Sequence, residues 1–546
     1  MNLAPPRRSL RHLAALALAA AALAALYLWG LDRPLLWSDE ADTGIEARGV
    51  REHGLPSPFD GRNLSLFDNG SQLSRGFLSK KIPWVQYYVG AASLALFGDD
   101  TRGLRLLFAL LGLSAWFPLR ALLRGRVRAP DLAAALLLLA PQIVLFQRNA
   151  RYYSLLVLGY AVLLWLLSAP FRRPWIRPAG VGAVFVLLFH TQPFAAACAG
   201  GSLFLFALLF RRGEAAALLL AAVAGFASWL AWYAALGPGL AASATTLESI
   251  TSDFSGWLSV FADGLFAMVL DLDAVGAVPL LLLAVALGMA LPRRSRVLGL
   301  LREPLVGLVG INLVVQAVAT AGLLGYETAD RFAILRYMPH LLLFSLAGLA
   351  VALEGLGTGG AALAALAVAV LSNLASASFW IQPRAGRVPL SWMPAVAGEI
   401  FHPPPDALAA AVGELRASAP PGAPAPVLFV SPAWARDTAI FYLGDRFLIS
   451  PEFTPGPAER GVMDRVAGLM GPPAFRRAIG APDWVLSLGH YFTAPRGYAL
   501  AASFPSPRAR PDDGARPELT RHSFPQAGPA GTVQLYRRSP LSPSSP

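Results

Sequence analysis

Between residues 13 and 380 the chain alternates long apolar runs with short charged connections. A helix rising 1.5 Å per residue needs about 20 apolar residues to cross the hydrocarbon of a bilayer. Runs near that length occupy 13–31, 103–123, 131–147, 152–168, 178–193, 195–210, 215–236, 275–291, 304–325, 337–356 and 360–380. Two further stretches, 84–97 and 257–270, are apolar but marginal in length. After residue 401 the texture changes and proline becomes frequent. Short β-like runs lie at Val427–Ser431, Arg446–Ser450, Trp484–Leu488 and Thr532–Tyr536, and helical stretches near 435–443 and 458–479 separate the first three. That alternation predicts a small soluble α/β domain.

The basic residues decide how many runs cross. Loops on the cytoplasmic side carry an excess of Lys and Arg. With a cytoplasmic N-terminus and the two marginal stretches lying along the outer interface, four clusters fall on one side: Arg124/Arg126/Arg128, Arg172/Arg173/Arg177, Arg211/Arg212 and Arg293/Arg294/Arg296. If both marginal stretches crossed, the first three clusters would fall outside. The predicted fold is therefore mainly α, a polytopic membrane protein with about eleven spans (thirteen in the rejected arrangement) and a small C-terminal soluble α/β domain. Residues 1–400 form the membrane domain, with a first outer loop at 32–102; residues 401–538 form the outer α/β domain, and 539–546 a disordered tail. The same arrangement places 148–151, 237–274 and 326–336 outside. No internal repeat is visible.

Composition sharpens this picture. Only 14% of the 546 residues are charged against 55% hydrophobic, where soluble domains carry roughly a quarter charged residues. The formal net charge of +12 does not point to nucleic acid, because the arginines flank apolar runs instead of striping a folded surface. The single cysteine, Cys198, lies in an apolar run and permits no internal disulfide. The basic Arg7-Arg8-Ser9-Leu10-Arg11-His12 stretch precedes an Ala/Leu run that no polar small-residue cleavage site closes; a retained first helix is expected.

Candidate chemistry starts at Trp37-Ser38-Asp39-Glu40-Ala41-Asp42, directly after the first run. Carboxylates beside low dielectric are costly unless something needs them, and such a position suits general-base work. The structural alternative is a helix start, with Ser38 or Asp39 as N-cap and Glu40 and Asp42 favouring the positive end of a helix running through Glu46 and Arg48. Both can hold at once. His190, in Phe189-His190-Thr191-Gln192-Pro193, sits at an outer helix end, where it faces the site or a metal or, more simply, is a satisfied core histidine. Asp271-Leu272-Asp273 has the spacing of a nucleotide-sugar metal motif, but three residues arise easily by chance.

In order along the chain, Leu36-Trp37-Ser38-Asp39-Glu40-Ala41 with Ala47-Arg48-Gly49-Val50-Arg51-Glu52-His53-Gly54 resembles the opening of membrane glycosyltransferases of the GT-C type, in which an acidic pair is followed by a helix ending in Gly. Lys80-Lys81-Ile82-Pro83-Trp84-Val85-Gln86-Tyr87-Tyr88 resembles the family's Lys-Pro-Pro-aromatic stretch, with one proline in place of two. Leu96-Phe97-Gly98, Arg102 and Arg105-Leu106 match its next landmark, and Arg148-Asn149-Ala150-Arg151-Tyr152-Tyr153 its Arg-Glu-x-Arg-x-Tyr element, with Asn149 where Glu is usual. Arg336-Tyr337 precedes a penultimate span. The likeness is good over 30–160 and loose over 320–380; protein O-mannosyltransferases and lipid A aminoarabinose transferases are its best-known members.

The resemblance implies transfer of a sugar from a polyprenyl-phosphate carrier to a lipid, glycan or protein acceptor on the outer face of a bacterial inner membrane, with inversion. In that reading Asp39 is the general base and Glu40 orients the acceptor. The cofactor stays open, with a divalent metal ion held by Asp39 and Glu40 as a candidate. A buried donor phosphate needs Lys or Arg at the membrane boundary; Lys80, Lys81, Arg148, Arg151, Arg331 and Arg336, with Tyr152 and Tyr337 beside them, are the candidates. Outer arginines run against the positive-inside bias, so the collection calls for a task. A transporter or flippase for a lipid-linked saccharide is the alternative. Transporters usually place ionisable groups at the bilayer midplane and often show repeated halves. A non-catalytic assembly factor would leave the outer arginines idle.

Overall fold

The computed structural model describes residues 10–65, 73–80, 82–238, 255–256, 258–259, 261–262, 304–324, 339–355, 360–371, 393–403, 405–422, 424–451, 460–488, 497–505 and 532–539. The first helices in chain order are α1 (Leu10–Leu28), α2 (Ser38–His53), α3 (Val85–Phe97), α4 (Thr101–Ser114), α5 (Trp116–Leu123) and α6 (Pro130–Leu138). They are followed by α7 (Pro141–Gln147), α8 (Tyr153–Ser168), α9 (Ile176–Phe189), α10 (Pro193–Phe210) and α11 (Ala215–Ala235). The chain divides into two compact units. One comprises residues 1–29, 108–232 and 244–401, the other 30–107, 233–243 and 402–546.

The first unit is helical. Among the described residues four helices are long and apolar enough to cross a membrane by length and composition: Leu10–Leu28, Thr101–Leu123, Pro193–Phe210 and Arg212–Ala235. Their outward faces carry large apolar side chains such as Leu209 and Leu220, which water would penalise and lipid does not. The eleven expected spans are not all seen as such. The run 131–147 is two short helices, α6 and α7, because Pro141 lacks an N–H and cannot continue the helix before it. α8 and α9 are apolar but shorter than the four, and the expected span 275–291 lies outside the described residues. Basic connections are ion-paired: Arg177 Nη1 lies 2.5 Å from Glu214 and Arg128 Nε 2.8 Å from Glu354.

The second unit joins the first loop to the tail. Its five-stranded sheet has the order β2-β1-β3-β5-β4, with β1 Val427–Ser431, β2 Leu448–Ile449, β3 Trp484–Leu488, β4 Tyr498–Pro505 and β5 Thr532–Arg538. β1 pairs parallel to β2 and β3, and β5 pairs antiparallel to β3 and β4. The central β3 reads as an almost continuous apolar run buried on both faces, as a parallel strand should. The Arg436–Leu443 helix follows β1, and α2 packs against it: Arg48 donates to Phe441 O at 2.8 Å and stacks 3.9 Å from the centre of that ring. A Cβ at Gly44 would lie 2.5 Å from the same ring, so this close approach needs glycine. Asn63, fully buried, donates to the Gly444 and Phe447 carbonyls and accepts from Ile449 N–H, fastening the first loop to the β2 edge.

Candidate active site

α2 begins at Ser38, and its Gly54 C-cap is left-handed at φ 76°, which ends the helix where the sequence places glycine. The N-terminal expectation needs correcting. Trp37 is the N-cap residue and no side chain caps the helix; Ser38 and Asp39 both lie inside the first turn. The lead-in is held by other groups instead. Leu35 N–H donates to Asp406 at 3.1 Å, Leu36 N–H to the Tyr442 hydroxyl at 2.9 Å, and Thr438 Oγ1 to Leu36 O at 3.0 Å. Burial pushes the Tyr442 hydroxyl up to about 12, so it stays neutral, and it shares a hydrogen bond with Thr101 Oγ1, 2.5 Å away.

Glu40 is fully buried and bonded by Arg105 through both oxygens, Nε–Oε1 at 2.9 Å and Nη2–Oε2 at 2.6 Å. The same guanidinium donates to Leu31 O at 3.1 Å and Pro34 O at 2.8 Å. Arg105 therefore welds the start of α2 to the loop before it. Glu40 has its two oxygens on a cation, a different occupation from orienting an acceptor or a metal. With both Glu40 oxygens taken by Arg105, a metal shared by Asp39 and Glu40 does not fit this arrangement.

Asp39, one residue earlier, is half-buried. The carboxylate the sequence did not single out is Asp437, in the first turn of the Arg436–Leu443 helix and 3% exposed. Ser65 Oγ donates to it at 2.6 Å. Burial pushes its proton affinity up; Arg436 and Ser65 pull it back, and the nearby Asp39 charge raises it further. The first turns of two helices thus bring Asp39, Asp437, Arg436 and Ser65 together. Lys80 lies elsewhere in this unit, its ammonium 4.2 Å from the Tyr233 ring centre and donating to the Gly237 carbonyl.

The first unit holds the Arg148–Tyr153 element at the α7–α8 junction. Arg148, Asn149, Arg151 and Tyr152 are all buried. Arg148 donates to the carbonyl of Leu26 near the end of α1, and the Arg151 guanidinium lies 5.3 Å from the Tyr152 ring centre. Tyr152 and Tyr153 pack edge-on, 4.8 Å apart. Buried arginines at a helix junction are rare without a purpose. His190 pairs with Ser228 at 3.2 Å and packs against Trp232. Lys81, Arg331, Arg336 and Tyr337 lie outside the described residues, as does Asp271-Leu272-Asp273.

No family model and no curated protein matches the chain. Among solved structures the chain is similar to ArnT from Cupriavidus metallidurans bound to undecaprenyl phosphate, at 14% identity and a TM-score of 0.48, over 86% of this chain and 92% of that one. It is also similar to the apo state of the same protein, at 14% identity and a TM-score of 0.41, over 87% and 93%. A third likeness is to the archaeal oligosaccharyltransferase AglB from Archaeoglobus fulgidus in complex with an inhibitory peptide and a dolichol-phosphate. There the identity is 12% and the TM-score 0.37, over 88% of this chain and 69% of that one. With every TM-score below 0.5 and every identity at 14% or less, nothing about chemistry passes from these structures to this chain.

Proposed function

We propose that this chain is a membrane glycosyltransferase that moves a sugar from a polyprenyl-phosphate carrier to a lipid, glycan or protein acceptor on the outer face of a bacterial inner membrane. The observation that carries the reading is Asp39. It is half-buried in the first turn of a helix whose next residue is locked by a buried arginine, in a chain whose further motifs follow the GT-C order. A base must be held still to act, and the Glu40–Arg105 pair supplies the rigidity. Asp39 takes the acceptor proton as the acceptor oxygen attacks the anomeric carbon; the carbon–oxygen bond to phosphate breaks and polyprenyl phosphate leaves, so the configuration inverts. The buried Arg148 and Arg151 are the cations assigned to the leaving phosphate, with Lys80, Lys81, Arg331 and Arg336 as further candidates. The first loop, 32–102, and the 401–538 domain lie outside the membrane in this reading.

Purified protein should transfer sugar from a polyprenyl-phosphate donor and ignore nucleotide sugars. Arg151→Ala should raise the donor KM roughly ten- to a hundred-fold, the cost of one charge-assisted bond, with a smaller effect on the acceptor KM. Efficient use of a nucleotide sugar would overturn the proposal. Vectorial movement of a lipid-linked saccharide without bond cleavage would favour the flippase instead.

A further inference from the structure

The lead-in to α2 is densely bonded, yet the two side chains that follow it are not. The Trp37 indole Nε1 and the Ser38 hydroxyl meet no hydrogen-bond partner among the described residues, although Trp37 is only 7% exposed and Ser38 5%. Leaving a buried donor unpaired costs as much as a lost hydrogen bond, so each such group in a native fold needs an explanation. Side chains in a helix lean toward its N-terminus, which points Ser38 out of the first turn, past a helix end that no side chain caps. Asp39 follows directly, and Asp437 is within electrostatic reach of it.

This set selects by charge as well as by hydrogen bonding. An indole N–H and a serine hydroxyl can donate to an incoming oxygen, and Asp39 can accept that oxygen's proton. A neutral hydroxyl satisfies both kinds of group at once. A phosphate would meet two carboxylates against the one cation Arg436, and near neutral pH it brings little proton for a base to remove. We infer that Trp37 Nε1 and Ser38 Oγ, beside Asp39, form a subsite for a neutral saccharide hydroxyl, and that the acceptor is a hydroxyl of this kind and not a phosphate. The subsite stands on two buried, unpartnered donors next to Asp39 in sequence; calling its ligand the acceptor rests on the transferase proposed above.

The test uses full-length protein in a sugar-free amine oxide detergent, with octyl glucoside and dodecyl phosphate as probes. Octyl glucoside should bind and slow hydrogen exchange over residues 36–46, and dodecyl phosphate should not. Ser38→Ala and Trp37→Phe keep the shape and remove one donor each. Each should weaken octyl glucoside binding roughly three- to ten-fold with the thermal transition unchanged. Equal protection by dodecyl phosphate, no protection by octyl glucoside, or unaltered affinity in both variants would overturn the subsite. If a variant melts early, its octyl glucoside affinity is read below that transition, and wild-type affinity there counts against the idea. In a parallel reaction with undecaprenyl-phosphate-linked mannose, sugar appearing on dodecyl phosphate and not on octyl glucoside refutes the hydroxyl acceptor while leaving the transferase standing. Saccharide binding that depends on Ser38 and Trp37 without any sugar transfer supports the subsite and counts against the transferase alone.

Discussion

The Glu40–Arg105 pair gives a prediction whose size follows from its surroundings. Glu40 is 0% and Arg105 4% exposed at the side chain, and Arg105 additionally donates to the carbonyls of Leu31, Pro34 and Leu35. Arg105→Met removes the guanidinium and strands the carboxylate in the interior, a loss of about 3–5 kcal/mol. Orphaned carbonyls add to that, but they are equally orphaned in the double variant Glu40→Leu/Arg105→Met. The difference between single and double variants therefore isolates the stranded charge. Hydrogen exchange of peptides over residues 30–54 in detergent reports local opening, and the single variant should exchange roughly a hundred- to a few-thousand-fold faster than the parent. The double variant should recover most of that protection. Parental exchange in Arg105→Met, or a double variant as fast as the single, would show that the pair does not hold α2 in place. Glu40→Gln keeps polar atoms toward Arg105 and, under the proposed chemistry, should cost less transfer activity than Asp39→Asn.

Asp39→Asn is nearly isosteric and should lower transfer by about 10²–10⁴-fold with unchanged exchange over α2; wild-type turnover would remove Asp39 from the chemistry. Asp437 binds its proton more tightly folded than unfolded, so the stability it contributes is present below the ordinary carboxylate value of about 4 and lost as pH rises through its raised value. The melting temperature of Asp437→Asn relative to the parent should therefore climb between pH 4 and pH 8, and a relative decline would contradict burial as the dominant influence. In a Cys198→Ala background, single cysteines at the exposed positions Arg62 and Glu414 should react with an impermeant reagent on intact spheroplasts, and one at Arg173 only after lysis. Labelling of Arg173→Cys and Arg62→Cys from the same side would break the proposed topology.

What could be read in advance was whatever is encoded locally. Val427–Ser431 and Trp484–Leu488 are strands as expected, because short stretches with four apolar residues in five between turn signals have little else to become. The edge strand Tyr498–Pro505 escaped notice: it is largely exposed and rich in Ala, so no alternation marks it. The helix Ala407–Ser418 was equally silent, being alanine-rich and directly behind prolines. Pro141 turned one expected span into two short helices. Asp39 was visible because a carboxylate beside an apolar run is conspicuous by itself. Its surroundings were not, since Ser65 and Asp437 are separated by 372 residues and only the fold brings them together. Arg105 stood out as a motif residue, but nothing nearby in sequence names Glu40 as its partner, 65 positions away.

The union of first loop and tail in one compact unit has a consequence for biosynthesis. Leu36 and its partner Tyr442 are 406 residues apart, so at about 5–20 residues per second the start of α2 waits on the order of 20–80 s for the hydroxyl that fixes it. Throughout that interval Asp39 stands on a helix whose packing surface has not been made. A chain stalled before residue 436 thus carries its motif residues yet lacks the helix against which α2 packs, and under the proposed chemistry its base is left unassembled.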